Sequence, residues 1–202
     1  MLTQVDAERV QTSVEIDYGL AEVYGDDHAA LLVMAEMLNF GVGKVRMELG
    51  ASYGTYAAVD ADRPRVLIGG EIDSARADEG LVAIYAAIEE LRAREDFERR
   101  FAFARRSVLQ RMINAQCDPK EFANTLAQAI NAGQSYAYFR DLAAKVAALE
   151  PKQVHAVVDR VLKPERSVTM LQGPKAGVEK AVTGAKLTGV VALPDVVHDE
   201  DD

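Results

Sequence analysis

The chain has three histidines and one cysteine among 202 residues, and each scarcity removes a class of chemistry. A single thiol, Cys117, allows no internal disulfide framework and fixes no compartment. It precedes Asp118 and Pro119 with no histidine beside it in sequence, the setting of a structural thiol rather than a nucleophile. His28, His155 and His198 stand far apart, so neither H-E-x-x-H nor its inversion H-x-x-E-H occurs. His155 and Asp159, four apart on one predicted helix face, form a surface pair rather than a metal site. A G-x-S-x-G elbow, a phosphate loop and a dinucleotide fingerprint are also missing. No apolar run approaches the roughly 18 residues of a membrane span. Residues 1–10 carry Asp6 and Glu8 and no apolar block, unlike a secretory signal. Positive charge is short too. Lys and Arg number 23 against 32 Asp and Glu, a formal net charge of −9, which argues against nucleic acid or a polybasic membrane surface as partner. The chain alone carries no catalytic site.

What is present is apolar patterning. With 49% hydrophobic residues the chain can bury a core without staples. Val10, Thr12, Val14 and Ile16 alternate with polar residues, the period of a half-buried strand. Asp26 and Asp27 supply cap chemistry for a helix carrying Leu31, Met34, Ala35 and Leu38, with a kink or break expected at Gly41 and Gly43. Two strands follow, Ser52 to Val59 and Arg65 to Ile72, as a hairpin with a longer loop. Gly69-Gly70 lies inside the second of them, where a bulge or close packing is the ordinary explanation.

From Asp73 the period becomes 3.6. One helix turns Leu81, Ile84, Tyr85, Ile88 and Leu91 inward. The next, Asp96 to Gln116, does so with Phe97, Phe101, Ala104, Val108 and Met112. Asp118-Pro119-Lys120-Glu121 reads as cap, first-turn proline and capping-box acid of a helix burying Phe122, Leu126, Ala129 and Ile130. Ser135 caps a helix with Phe139, Leu142, Val146 and Leu149 inward, and Pro151 opens one carrying Val154, Val157, Val158 and Val161. Ser167 to Leu171 is a closing strand. Strands so far apart share one sheet only if the last returns beside the first, which predicts an α+β fold: a mainly antiparallel sheet with helices packed on one face.

The stretch Lys44 to Tyr56 joins helix to hairpin. Arg46 closes the helical run, Gly50 suits the left-handed position that ends a helix, and Tyr53 opens the strand. Tyr53, Thr55, Ala57 and Val59 share one strand face and Tyr56 lies on the other. A guanidinium and a phenol at one corner can both donate hydrogen bonds to a peptide carbonyl or an oxyanion. The plain alternative is an arginine in a surface salt bridge and a half-buried tyrosine.

Arg46 and Tyr53 in VRMELGASY, the IGGEID strand, the helix FARRSVLQRM and the closing run LEPKQVHAVVDRVLKPERSVTMLQGP together resemble one family. They are similar to the C-terminal, non-catalytic half-domain of the insulinase/pitrilysin zinc peptidases, which include the mitochondrial processing peptidases. The resemblance covers about Arg9 to Pro174. It implies residues 1–174 as a peptidase-like inactive domain, and 175–202 as a short helix followed by an acidic, flexible tail.

The resemblance implies function as well. Half-domains of this kind close like a clam shell around a peptide, one half holding zinc through H-x-x-E-H. No cofactor is then expected in this chain, and zinc belongs to the partner half, in the same longer chain or a separate subunit. Peptide is the implied substrate, with Arg46 and Tyr53 the substrate-binding residues. The alternatives are a catalytically dead scaffold or assembly subunit, or a stand-alone peptide-binding module. A bacterial cytoplasm or periplasm is compatible with all three. Between Leu38 and Arg46 this chain departs from the commoner family pattern, which has a longer glycine- and serine-containing loop there.

Overall fold

The structure, a computed structural model, describes residues 1–47, 49–50 and 52–196, the side chains of Ser52 and Tyr53 excepted. Strand β1, Leu2–Val5, leads into β2, Gln11–Gly19, and helix α1, His28–Val42. A single turn, α2 (Lys44–Met47), precedes the hairpin of β3 (Ser52–Asp60) and β4 (Arg65–Asp73). Five helices follow: α3 (Ala77–Arg92), α4 (Phe97–Cys117), α5 (Pro119–Asn131), α6 (Tyr136–Ala148) and α7 (Pro151–Val161). Strand β5 (Ser167–Gly173), helix α8 (Lys175–Gly184) and the short strand β6 (Val191–Ala192) complete the described chain. The described strands form one sheet in the order β3-β4-β2-β5-β1-β6. Pairing is antiparallel from β3 through β5, and β1 runs parallel to both β5 and β6. The expected α+β architecture, mainly antiparallel with helices on one face, is what forms.

Alternation on β2 sets the two faces of the sheet. Thr12, Val14, Ile16 and Tyr18 are buried beneath the helices. Glu15 and Asp17 point to the opposite face, where Arg65 of β4 meets each of them at 2.5 Å and Asp60 of β3 at 3.1 Å. The strand begins at Gln11 and not at Val10, which is 85% exposed. Helix α1 is the centre of the core. It packs against β3, α3, α4, α6 and α7, and so buries Ala30, Val33 and Met37 as well as the predicted stripe of Leu31, Met34 and Leu38. A helix enclosed on all sides has no polar face to show in its periodicity. Among the described residues no helix is long and apolar enough to cross a membrane.

Several local expectations hold. Asp118 accepts hydrogen bonds from the backbone N–H groups of Lys120 and Glu121 at 2.9 and 3.2 Å, and Ser135 from that of Tyr138 at 3.3 Å. The break falls at Gly43, which caps α1. At Gly41 an added Cβ would come within 2.9 Å of the Ala87 Cβ, so glycine there lets α1 and α3 approach. Gly70 is likewise confined, because a Cβ would run into the Gly54 carbonyl and Thr55 of the neighbouring strand.

Others need correction. Asp27 stands at the N-cap of α1 without capping it, and its carboxylate pairs instead with Arg160 of α7. Of the four residues expected to be buried on α5, only Ala129 is; Ile130 is 59% exposed. That helix packs on α4 and α6 rather than on the sheet. The His155–Asp159 surface pair is absent: Asp159 pairs with Arg94 at 2.6 Å, and the His155 ring lies edge-on to Phe97 at 3.9 Å. Beyond Pro174, α8 buries Val178 and Ala181 against α3. Residues 191–196 follow β1, with the N–H groups of Val191, Leu193 and Val196 donating to the carbonyls of Met1, Thr3 and Val5. Residues 197–202, which include His198 and the acidic end, lie outside the described residues.

Candidate functional site

The corner between α2 and β3 is built by short-range ties. After Gly43 the chain makes one further helical turn, and the Gly50 N–H donates to the Arg46 carbonyl at 3.2 Å. Gly50 then takes φ of +59°, the left-handed conformation that glycine adopts without steric cost. The Leu49 carbonyl accepts from the Arg76 guanidinium, which also pairs with Glu79 at 2.6 Å. Lys44 pairs with Glu90 at 3.2 Å. The strand is pinned to the end of α1 by Thr55, whose hydroxyl donates to the Val42 carbonyl at 2.6 Å. Asn39 completes the clamp, donating to the Ala57 carbonyl at 2.8 Å and accepting the Ala57 N–H at 2.6 Å.

On this frame Arg46 is exposed, and among the described residues its guanidinium has no hydrogen-bond or ion-pair partner. The surface salt bridge that a lone arginine ordinarily makes is therefore not made among them. The side chain of Tyr53, and all of Glu48, lie outside the described residues. Strand pairing nevertheless bears on Tyr53. Ser52 pairs with Ile72 and Gly54 with the next residue, Glu71, so a bulge falls between Ser52 and Gly54. The face that Thr55, Ala57 and Val59 share cannot be carried back across it by simple alternation. Bulges commonly re-aim a side chain beside a functional site.

Zinc does not fit the described side chains. No group of three or more His, Cys, Asp or Glu residues among them is arranged to hold a metal ion. His28 is engaged at Nδ1 by the Tyr138 hydroxyl at 2.7 Å, and His155 lies against Phe97.

A cavity away from this corner was not legible in the sequence. At the far end of β3, about 20 Å along the strand from Tyr53, a cavity of about 420 Å³ opens between the β3–β4 turn, the start of α1, and helices α4, α5 and α6. Phe122 and Leu126, predicted as core, line it. The signal available was the pair of aromatic residues near the starts of α5 and α6, Phe122 and Tyr136, but helical spacing assigned the first to a core that α5 does not enter.

No protein-family model and no curated protein sequence matches this chain. Solved structures match its fold. The peptidase M16 inactive domain from Pseudomonas fluorescens superposes with a TM-score of 0.72 at 17% identity, over 86% of this chain and 44% of that one. A protease from Helicobacter pylori gives 0.71 at 15% identity, over 85% and 44%. The inactive peptidase domain of a protein described as a zinc protease, from Bordetella parapertussis, gives 0.66 at 16% identity, over 81% and 92%. The chain thus spans less than half the length of the first two and nearly all of the third. At these identities the likeness is one of fold: the chain has the fold seen in the M16 peptidase inactive domain.

Proposed function

We propose that this chain is the non-catalytic half of a zinc endopeptidase, completing a peptide-binding cleft opposite a zinc-bearing half-domain. The observation that carries this reading is the exposed guanidinium of Arg46, without a partner among the described residues, on a corner tied by Asn39, Thr55 and Arg76. An exposed arginine with no partner among the described residues is available to a group arriving from outside. The zinc of the facing half supplies the activated water. This half contributes donors, Arg46 and Tyr53, aimed at the carbonyl oxygen on which negative charge develops.

A stand-alone module that adds a peptide strand to β3 is less well supported. β3 is an edge strand, but the outward N–H and C=O of Ala57 are already taken by Asn39. A peptide pairing along the whole edge would have to displace that side chain.

Mixing tests the reading. Neither this chain nor the zinc-bearing half should cleave an unstructured peptide alone, and the two together should do so until the metal is chelated. Equal cleavage by the zinc-bearing half alone would refute it. Assembly of the two without cleavage would favour the scaffold role.

A further inference from the structure

The cavity between the β3–β4 turn and helices α4–α6 has the size and lining of a ligand site. Its volume of about 420 Å³ falls within the 300–1,000 Å³ typical of small-molecule pockets. It exists because α5 is held by its neighbours on α4 and α6 while burying only Ala129. Its apolar stripe, Phe122 and Leu126, faces open space where a core would otherwise close.

The lining is aromatic. Tyr24, His28, Phe122, Tyr136 and Phe139 all border the cavity, in a chain with only 6% aromatic residues. The rings are already in mutual register. His28 and Tyr138 stack with centroids 5.9 Å apart and 13° between planes, and Tyr24 sits edge-on to both at 5.1 and 6.0 Å. Phe122 and Tyr136 meet edge-on at 6.3 Å. Offset and edge-on contacts of this kind favour a further ring.

Among the described residues, two of the three charged side chains at the rim, Asp60 and Arg111 but not Asp62, are held in ion pairs. Asp60 is held by Arg65 at 3.1 Å and Arg111 by Glu36 at 2.7 Å, so neither recruits a counter-ion. One buried polar side chain, His28, borders the cavity. His28 is 6% exposed and its Nδ1 is engaged by Tyr138. Its Nε2 has no hydrogen-bond partner among the described residues. Burial, with the charge of Lys145 second, pushes the ring down to about 4, so it is neutral at pH 7. Tyr138 is pushed up to about 12, chiefly by burial, and keeps its proton. Nε2 is then a donor or an acceptor according to which way the Tyr138 hydroxyl points. A hydroxyl or amide can satisfy either state.

We infer that this cavity binds a neutral aromatic group carrying one hydroxyl or amide, its ring against the aromatic walls and its polar atom on His28 Nε2. A free phenol and the tyrosine side chain of a peptide share that chemistry. Titrating the 202-residue chain with p-cresol, toluene and the tripeptide Gly-Tyr-Gly, followed by amide chemical shifts, tests the inference and separates the two sources. Saturable shifts at cavity residues are expected, with p-cresol about tenfold tighter than toluene, the worth of one hydrogen bond. Tighter binding of p-cresol than of the tripeptide marks a small-molecule site, and the reverse marks a side-chain pocket. Ala143→Phe, which fills the cavity, should abolish binding. His28→Phe should leave toluene unaffected while removing the advantage of p-cresol. No saturable shift up to about 10 mM p-cresol, or binding that survives Ala143→Phe, overturns the inference. Should His28→Phe fail to fold, the Ala143→Phe result decides.

Discussion

Asn39 grips Ala57 by both backbone groups, its amide nitrogen 2.8 Å from the carbonyl oxygen and its amide oxygen 2.6 Å from the nitrogen. Ala57 is 4% exposed, so water cannot replace the clamp. A side chain of α1 thereby does for the β3 edge what a further strand would do.

Asn39→Ala leaves a buried N–H and a buried C=O unpaired. Each such group costs about 1–3 kcal/mol, and urea unfolding should show a loss of about 2 kcal/mol or more. Asn39→Asp, which keeps the acceptor but sets a carboxylate oxygen against the Ala57 carbonyl, should cost at least as much. A loss below about 0.5 kcal/mol, the range of neutral surface changes, would mean that the clamp is not formed.

Glu36 on α1 is 6% exposed and held by the Ser107 hydroxyl at 2.5 Å and by Arg111 at 2.7 Å, both on α4. Removing the cation strands a buried carboxylate, whereas removing both charges does not. Arg111→Met should lower the unfolding free energy by about 2 kcal/mol, and adding Glu36→Leu should recover most of it. A double variant weaker than the single would contradict this account of the α1–α4 contact.

His28 links stability to pH. Its folded-state pKa is lowered to about 4 from 6.5, so between those values the unfolded chain holds a proton that the folded chain does not. Stability from this group is complete above pH 6.5 and is lost as pH falls toward 4. The loss should amount to about 2–3 kcal/mol at the acid end. Urea unfolding across that window should be flatter in His28→Gln than in the parent chain. Parallel curves would show that the ring is not buried neutral.

Much of the architecture was legible because local pattern and final environment agree. The alternation on β2 and the valines of α7 point where the core is. Legibility failed where a neighbour distant in sequence decides the outcome. Strand β1 is four residues long, and its parallel partner β5 begins more than 160 positions later. Phe122, Leu126 and Ile130 have core spacing, but α5 never reaches the sheet. His155 and Asp159 have pair spacing, but Phe97 and Arg94 are the better partners in space. At the candidate site the helix-to-strand corner with its left-handed Gly50 was legible. The Asn39 clamp and the bulge beside Tyr53 were not, since both depend on which residues lie opposite.

The most direct measurement is kcat/KM for peptide cleavage by the paired zinc-bearing half and this chain, with Arg46→Ala and Tyr53→Phe introduced here. Arg46 has no partner among the described residues, so its substitution should leave thermal unfolding unchanged and any loss of rate should be functional. A fall of about 10²-fold or more in each variant is predicted, the usual cost of removing one donor to a developing oxyanion. Values within about threefold of the parent in both variants, well short of that cost, would contradict the claim that this corner reaches the substrate.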